Sequence, residues 1–157
     1  MIIAIDGPAG AGKSTVARQL AKKLGFLYVD TGAMYRALTL KILENNVAIN
    51  DEPRINALAQ KVGIDLRNNA DGSLSVILDG RDVSLEIRQA RITQFVSDVA
   101  KIKTVRQVLV AMQRDMGKRG DCVLDGRDIG TVVFPDARKK FFVDASKRVR
   151  VDRRFKE

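Results

Sequence analysis

The feature of the sequence that most constrains its fold is a glycine-rich stretch near the amino terminus. Residues 7–14 read Gly-Pro-Ala-Gly-Ala-Gly-Lys-Ser and match the pattern G-x-x-x-x-G-K-[ST]. Before them, residues 2–5 form a continuous apolar run, which favours a strand buried on both faces. After them, apolar residues recur at helical spacing over residues 14–24 and stop at Gly25. The stretch therefore lies between a predicted buried strand and a predicted helix, as this pattern requires.

This pattern predicts a phosphate-binding loop. Its backbone N–H groups would surround phosphate oxygens, and the helix amino terminus would add partial positive charge. Lys13 would bridge phosphate oxygens and Ser14 would ligate Mg²⁺. We therefore expect ATP as a ligand and Mg²⁺ as its cofactor. The expected ATP-binding residues are Gly7, Pro8, Ala9, Gly10, Ala11, Gly12, Lys13, Ser14 and Thr15.

The rest of the chain predicts an α/β fold with a parallel sheet. Further apolar runs at residues 26–29, 122–124 and 140–143 are interpreted as buried strands. Helices are predicted at about 33–45 and 51–61, at 92–99 and 105–117, and from residue 146 onward. Between the helices at 51–61 and 92–99, two segments in which apolar and polar residues alternate lie on either side of a predicted turn. This pattern indicates an antiparallel hairpin. We interpret residues of about 62–83 as a small inserted subdomain within one domain spanning residues 1–157.

The composition narrows the possible chemistry. Lys and Arg number 28 against 19 Asp and Glu, a formal net charge of +9, which favours anionic partners. The sequence has no His, which excludes His-dependent triads and His-ligated zinc or haem. The single cysteine, Cys122, suits a reducing compartment, and the first apolar run is too short for a signal peptide or a membrane span. We therefore expect a cytoplasmic protein.

Polar residues follow two other predicted strands. Thr31, Tyr35 and Arg36 follow the second strand and could converge on a second ligand, with Arg36 as a phosphate fork. Asp125 ends the apolar run at 122–124, the usual place for a second acidic group that reaches Mg²⁺ directly or through water. The residue types alone leave surface, capping or plain turn roles open for these positions.

Three segments together resemble one known family. Residues 5–13 (IDGPAGAGK), 30–36 (DTGAMYR) and 125–137 (DGRDIGTVVFPDA) are similar to motifs of bacterial cytidylate kinases, a branch of the P-loop nucleoside monophosphate kinases. The resemblance covers essentially the whole chain, including the inserted hairpin. It implies a P-loop three-layer sandwich that transfers the γ-phosphoryl group of ATP to CMP or dCMP in pyrimidine metabolism.

The resemblance also implies roles for individual residues. Those matching the CMP site are Thr31, Tyr35, Arg36, Ser97, Arg106, Arg127 and Asp128, and the assignment of Ser97 and Arg106 rests on the resemblance alone. The catalytic set is Lys13, Arg36, Arg127 and Asp128, and the metal ligands are Ser14 and Asp125. Family members continue beyond the position of Glu157 with an arginine-bearing lid and further elements. We therefore expect this chain to be incomplete relative to the family and impaired in catalysis.

Two other functions stay open. Another P-loop small-molecule kinase, for UMP, AMP or shikimate, would share the loop. A nucleic-acid-binding P-loop ATPase would suit the charge, but 2 Tyr, 6 Phe and no Trp offer no aromatic-rich stacking platform. We expect neither nucleic acid nor a membrane as partner, and the resemblance favours a monomer.

Overall fold

The computed structural model describes the backbone of residues 1–156 and the side chains of residues 1–153. The chain forms two compact units. The first comprises residues 1–31 and the chain from residue 114 onward, and the second comprises residues 32–113.

The first unit is built on a parallel sheet. Its strands are β1 (Ile2–Asp6), β2 (Leu27–Asp30), β6 (Cys122–Gly126) and β7 (Lys139–Phe142), arranged in the order β2-β6-β1-β7. Ile3 of β1 lies opposite Val123 of β6 and Lys139 of β7. All five residues of β6 are buried. Because every pairing is parallel, the carboxyl ends of the strands lie at one edge of the sheet, where ligands bind in such folds.

Two helices and a short turn complete the first unit. Helix α1 (Lys13–Leu24) packs against β2 and β6, and it ends at Gly25, whose φ of +67° suits glycine. Helix α6 (Lys147–Lys156) follows β7. A single π-helical turn, Ile129–Val133, follows β6, with Phe134 donating its N–H to the Ile129 carbonyl at 2.7 Å.

The second unit combines helices with a small antiparallel sheet. The helices are α2 (Thr31–Glu44, whose first residue belongs to the first unit), α3 (Glu52–Lys61), α4 (Ala90–Val99) and α5 (Lys103–Gly117, whose last turn belongs to the first unit). The sheet contains β3 (Ile64–Asn68), β4 (Leu74–Leu78) and β5 (Arg81–Asp82) in that order. The core of this unit includes the buried residues Leu38, Ile55, Val76, Ile92 and Leu109.

The expected fold class and element order are confirmed, with three local differences. The structure adds the two-residue strand β5, which is too short to leave a period in the sequence. Strand β7 was expected to be buried, but Phe141 and Phe142 are 51% and 73% exposed because β7 is the outer strand of the described sheet. Val16 and Leu24 lie at helical spacing with core residues of α1 yet are exposed, because they sit at the margins of its buried face.

In the described part of the chain, no helix has the length and apolarity needed to cross a bilayer.

Candidate active site

The loop of residues 7–14 connects β1 to α1 through close backbone contacts that require glycine. Gly7 and Gly10 have φ of +147° and +73°, a region that other residues rarely adopt. A Cβ atom at Gly7 would lie 2.0 Å from the carbonyl oxygen of Val143, and one at Gly10 would lie 2.7 Å from that of Arg150. Side chains at these positions would displace the backbone, so the two glycines fix the shape of the loop.

Lys13 lies within this loop and is almost fully buried. Its ammonium donates to the carbonyl oxygen of Pro8 at 2.8 Å, which holds it across the loop. Burial and the neighbouring Arg127 guanidinium lower the pKa of Lys13, while Asp125, Asp30 and Asp6 act in the opposite direction. An anion bound in the loop would offset both the burial and the repulsion from Arg127.

Asp125 is the fourth of the five residues of β6, and two hydroxyl groups donate to it. Ser14 Oγ donates to Oδ2 at 2.6 Å, and Tyr28 OH donates to Oδ1 at 3.1 Å. Burial, followed by the charge of Asp30, raises the pKa of Asp125 well above the usual carboxyl range. Burial also raises the pKa of Tyr28, so its hydroxyl remains a neutral donor.

The oxygens of Ser14 and Asp125 fit a small hard cation. Mg²⁺ prefers oxygen ligands and usually takes one or two from protein, with the rest from phosphate and water. No group of three or more Cys, Asp or Glu side chains that could hold an ion is present among the described residues. A divalent cation would also stabilise the ionised form of the buried Asp125 carboxyl.

The first unit's acceptor-site candidates are Thr31, which follows β2, and Arg127 and Asp128, which follow β6. Thr31 is buried, and its Oγ1 donates to the Asp125 carbonyl at 2.7 Å. Arg127 is exposed and donates from Nη1 to the carbonyl of Gly7 at 3.2 Å. Asp128 is half-buried, and its carbonyl accepts the N–H of Val132 at 2.8 Å. The structure thus holds Arg127 against the loop that contains Lys13.

The second unit carries the other four acceptor-site candidates. Arg36 Nη1 donates to Thr93 Oγ1 at 2.8 Å and to the Ile87 carbonyl at 3.3 Å, which fixes its guanidinium within this unit. Thr93 lies on α4 one helical turn before Ser97, which is exposed. Tyr35 on α2 and Arg106 on α5 are half-buried. Arg36 is therefore joined to the helix that carries Ser97.

Sequence reasoning missed three residues at the loop. Tyr28 was treated as part of an apolar strand, although its hydroxyl reaches Asp125. Arg150 and Arg153 lie in α6, a segment for which the sequence analysis predicts only a helix. Arg153 Nη1 donates to the Gly10 carbonyl at 3.1 Å, and the Arg150 backbone contacts Gly10. Their spacing of three places both arginines on one face of α6, the signal that could have identified them.

Known proteins resemble this chain over nearly its whole length. The family model "Cytidylate kinase" matches residues 3–157. Among curated relatives, the cytidylate kinase of Pelotomaculum thermopropionicum is 54% identical over 155 residues, covering 99% of this chain and 69% of the relative. That of Caldanaerobacter subterraneus subsp. tengcongensis is 57% identical, with 99% and 67% covered, and that of Clostridioides difficile is 48% identical, with 100% and 70% covered. Identity at this level over nearly the whole chain shows that the protein belongs to the cytidylate kinase family.

Proposed function

We propose that the protein transfers the γ-phosphoryl group of ATP to the 5′-phosphate of CMP or dCMP, giving ADP and CDP or dCDP. The observation that carries this proposal is the cluster formed by Lys13, Arg127 and the Ser14–Asp125 pair around one glycine-rich loop. It places two positively charged side chains and two oxygen groups that can bind a metal ion at the carboxyl end of a parallel sheet. Membership of the cytidylate kinase family supports CMP or dCMP as the acceptor.

Residues 7–15 would bind the phosphates of ATP. The backbone N–H groups at the start of α1 and the Lys13 ammonium provide positive charge for the β- and γ-phosphates. Ser14 and Asp125 would hold Mg²⁺. When bound, the ion neutralises phosphate charge that the protein alone does not balance.

Supported by the family membership, we assign acceptor binding to Thr31, Tyr35, Arg36, Ser97, Arg106, Arg127 and Asp128. Arg36 and Arg127 would neutralise the acceptor phosphate, and Asp128 would orient the Arg127 guanidinium and a ribose hydroxyl. We further propose that the hairpin region of about residues 62–83 is the monophosphate-binding insertion within a single domain.

The transfer needs no protein nucleophile. A phosphate oxygen of CMP forms the new bond to the γ-phosphorus, and the bond from that phosphorus to the β–γ bridging oxygen breaks, leaving ADP. The acceptor phosphate is already ionised near neutral pH. The protein therefore positions two anions and reduces their repulsion, which a chain without His can do.

We also propose that the protein acts as a monomer in the cytoplasm. Cys122 is a buried free thiol, which suits a reducing compartment. Size-exclusion chromatography with light scattering should give one species of 17.3 kDa. A stable dimer would contradict the monomer.

Calorimetric titration and ADP release with a panel of acceptors test the proposed function. CMP or dCMP should bind more tightly than UMP, AMP or shikimate, and should stimulate ADP release when ATP and Mg²⁺ are present. Preference for UMP, AMP or shikimate would assign the protein to another kinase activity. Tight binding of RNA or DNA with a steep dependence on salt would favour the nucleic-acid-binding alternative.

A further inference from the structure

Asp6, the last residue of β1, is a buried carboxylate outside the phosphate loop and the acceptor set. It is 9% exposed. Its Oδ1 accepts the N–H of Ile129 at 2.8 Å, and its Oδ2 accepts the N–H of Gly130 at 2.8 Å. Both carboxylate oxygens are thus used by two consecutive backbone amides that lie 123 and 124 residues away.

These two amides belong to the first two residues of the π-helical turn Ile129–Val133, and this turn directly follows Asp128. The Ile129 amide belongs to the peptide bond with Asp128, so fixing its N–H restricts the backbone of Asp128, which has φ −145° and ψ 29°. A Cβ atom at Gly130 would lie 3.4 Å from Asp6 Oδ2 and 3.1 Å from Lys140 Cδ. Gly130 is thus closely surrounded by the side chains of Asp6 and Lys140.

A further hydrogen bond connects the same two segments, again with its donor in the segment after β6. Arg127 Nη1 donates to the carbonyl of Gly7, the residue that follows Asp6. Residues 6–7 thus accept hydrogen bonds from the side chain of Arg127 and from the backbone just after Asp128. Together these bonds hold the start of the phosphate loop and the Arg127–Asp128 segment at a fixed separation.

We propose that Asp6 is a positioning residue that sets the distance between the donor phosphates and the acceptor-binding pair Arg127–Asp128. This inference rests on the proposed function, because it assigns Arg127 and Asp128 to the acceptor. Asp6 acts through the amides of Ile129 and Gly130, which a carboxylate satisfies simultaneously and a carboxamide cannot, since its nitrogen is a donor.

Variants Asp6→Asn and Asp6→Ala test the proposal, with Asp136→Asn, an exposed aspartate of the same unit, as control. A small misplacement of reacting groups costs about 100-fold in rate, so kcat/KM for CMP should fall by about that factor in Asp6→Ala. The affinity for ATP should remain that of the parent chain. Asp6→Asn should fall between the parent and Asp6→Ala, because it keeps one acceptor oxygen, and Asp136→Asn should match the parent.

Amide hydrogen exchange gives a readout that does not depend on activity. The N–H groups of Ile129 and Gly130 should be protected in the parent chain and exchange faster in both Asp6 variants, while the β6 amides remain protected. Should Asp6→Ala fail to fold, the isosteric Asp6→Asn supplies both readouts.

The outcomes separate the two claims. Unchanged kcat/KM for CMP in both variants, in a parent chain that binds CMP, would overturn the role of Asp6 and leave the proposed function intact. Equal losses of ATP and CMP affinity would also overturn it, since they indicate general loss of structure. A parent chain that neither binds nor phosphorylates CMP would overturn the proposed function and, with it, the acceptor role of Asp6.

Discussion

Ser14 Oγ donates a 2.6 Å hydrogen bond to Oδ2 of Asp125 across 111 residues of sequence. The bond joins the first turn of α1 to the end of β6 and brings two oxygen atoms that can bind a cation next to each other. Such a pair holds a divalent cation together with phosphate oxygens. The arrangement leads to a prediction about metal dependence.

Asp125→Asn should raise the Mg²⁺ concentration that supports half-maximal ATP binding by about 10- to 100-fold, the range for perturbing a metal site. The carboxamide has the same shape but lacks the charge that attracts the cation. Titration of Mg²⁺ at fixed ATP measures the effect. Asp136→Asn serves as the exposed control, and equal midpoints for the two variants would remove Asp125 from the metal site.

Lys13→Met should lower kcat by about 10²–10³-fold, the usual cost of removing one preorganised donor to a developing charge. The methionine side chain fills a similar volume without the ammonium that Pro8 holds across the loop. Lys23→Met, on the exposed face of the same helix, should retain parent kinetics. Comparable turnover in the two variants would show that Lys13 does not contact the transferred group.

Arg36→Met should weaken CMP binding by about 10- to 100-fold, because a hydrogen bond between charged groups is lost. The affinity for ATP should not change. Calorimetric titration with each nucleotide separates the two effects, and Arg54→Met, at a side chain that is 71% exposed, provides the control. Loss of ATP affinity in Arg36→Met would contradict an acceptor role.

We expect Asp79 to stabilise the second unit at neutral pH and to lose this effect in acid. Partial burial would raise the pKa of Asp79, but the bonds from Lys41 Nζ at 2.6 Å and from the Gly63 N–H at 2.8 Å outweigh it and lower the pKa. The stabilisation is therefore present above about pH 4, where the unfolded carboxyl is ionised, and is lost as the pH falls through the folded pKa.

Urea unfolding of the parent chain and Asp79→Asn measures this contribution. The variant should be less stable at neutral pH by no more than about 1 kcal/mol, because the Asp79 side chain is 43% exposed and solvent screens the pair. Asn tolerates the φ of +48° at this position. The difference should shrink as the pH is lowered, and a constant difference would show that the charge of Asp79 is not its source.

Features with a local cause could be predicted from the sequence. The helix predicted at about residues 51–61 begins with Asp51 and Pro53, residue types that favour a helix start, and the Asp51 side chain accepts the N–H of Arg54 at 3.2 Å. The loop of residues 7–14 was placed between the correct strand and helix because its glycines and flanking periodicities are all local.

Features that depend on distant pairing could not be predicted. The Asp6–Ile129 bond and the Arg153–Gly10 bond join residues more than 120 positions apart. The spacing of apolar residues along the sequence does not indicate contacts over such distances. The exposure of Phe142 follows from the position of β7 at the outside of the described sheet, which strand order decides and residue type does not.

The most direct test of the central claim is a single-turnover reaction with the protein in excess over ATP labelled at the γ-phosphate. Under these conditions even slow transfer is detected, because the product does not depend on repeated cycles. With Mg²⁺ and CMP present, the label should appear in CDP, and Lys13→Met should suppress it. Label found only in inorganic phosphate, or transferred equally to UMP and AMP, would contradict the proposed transfer to CMP.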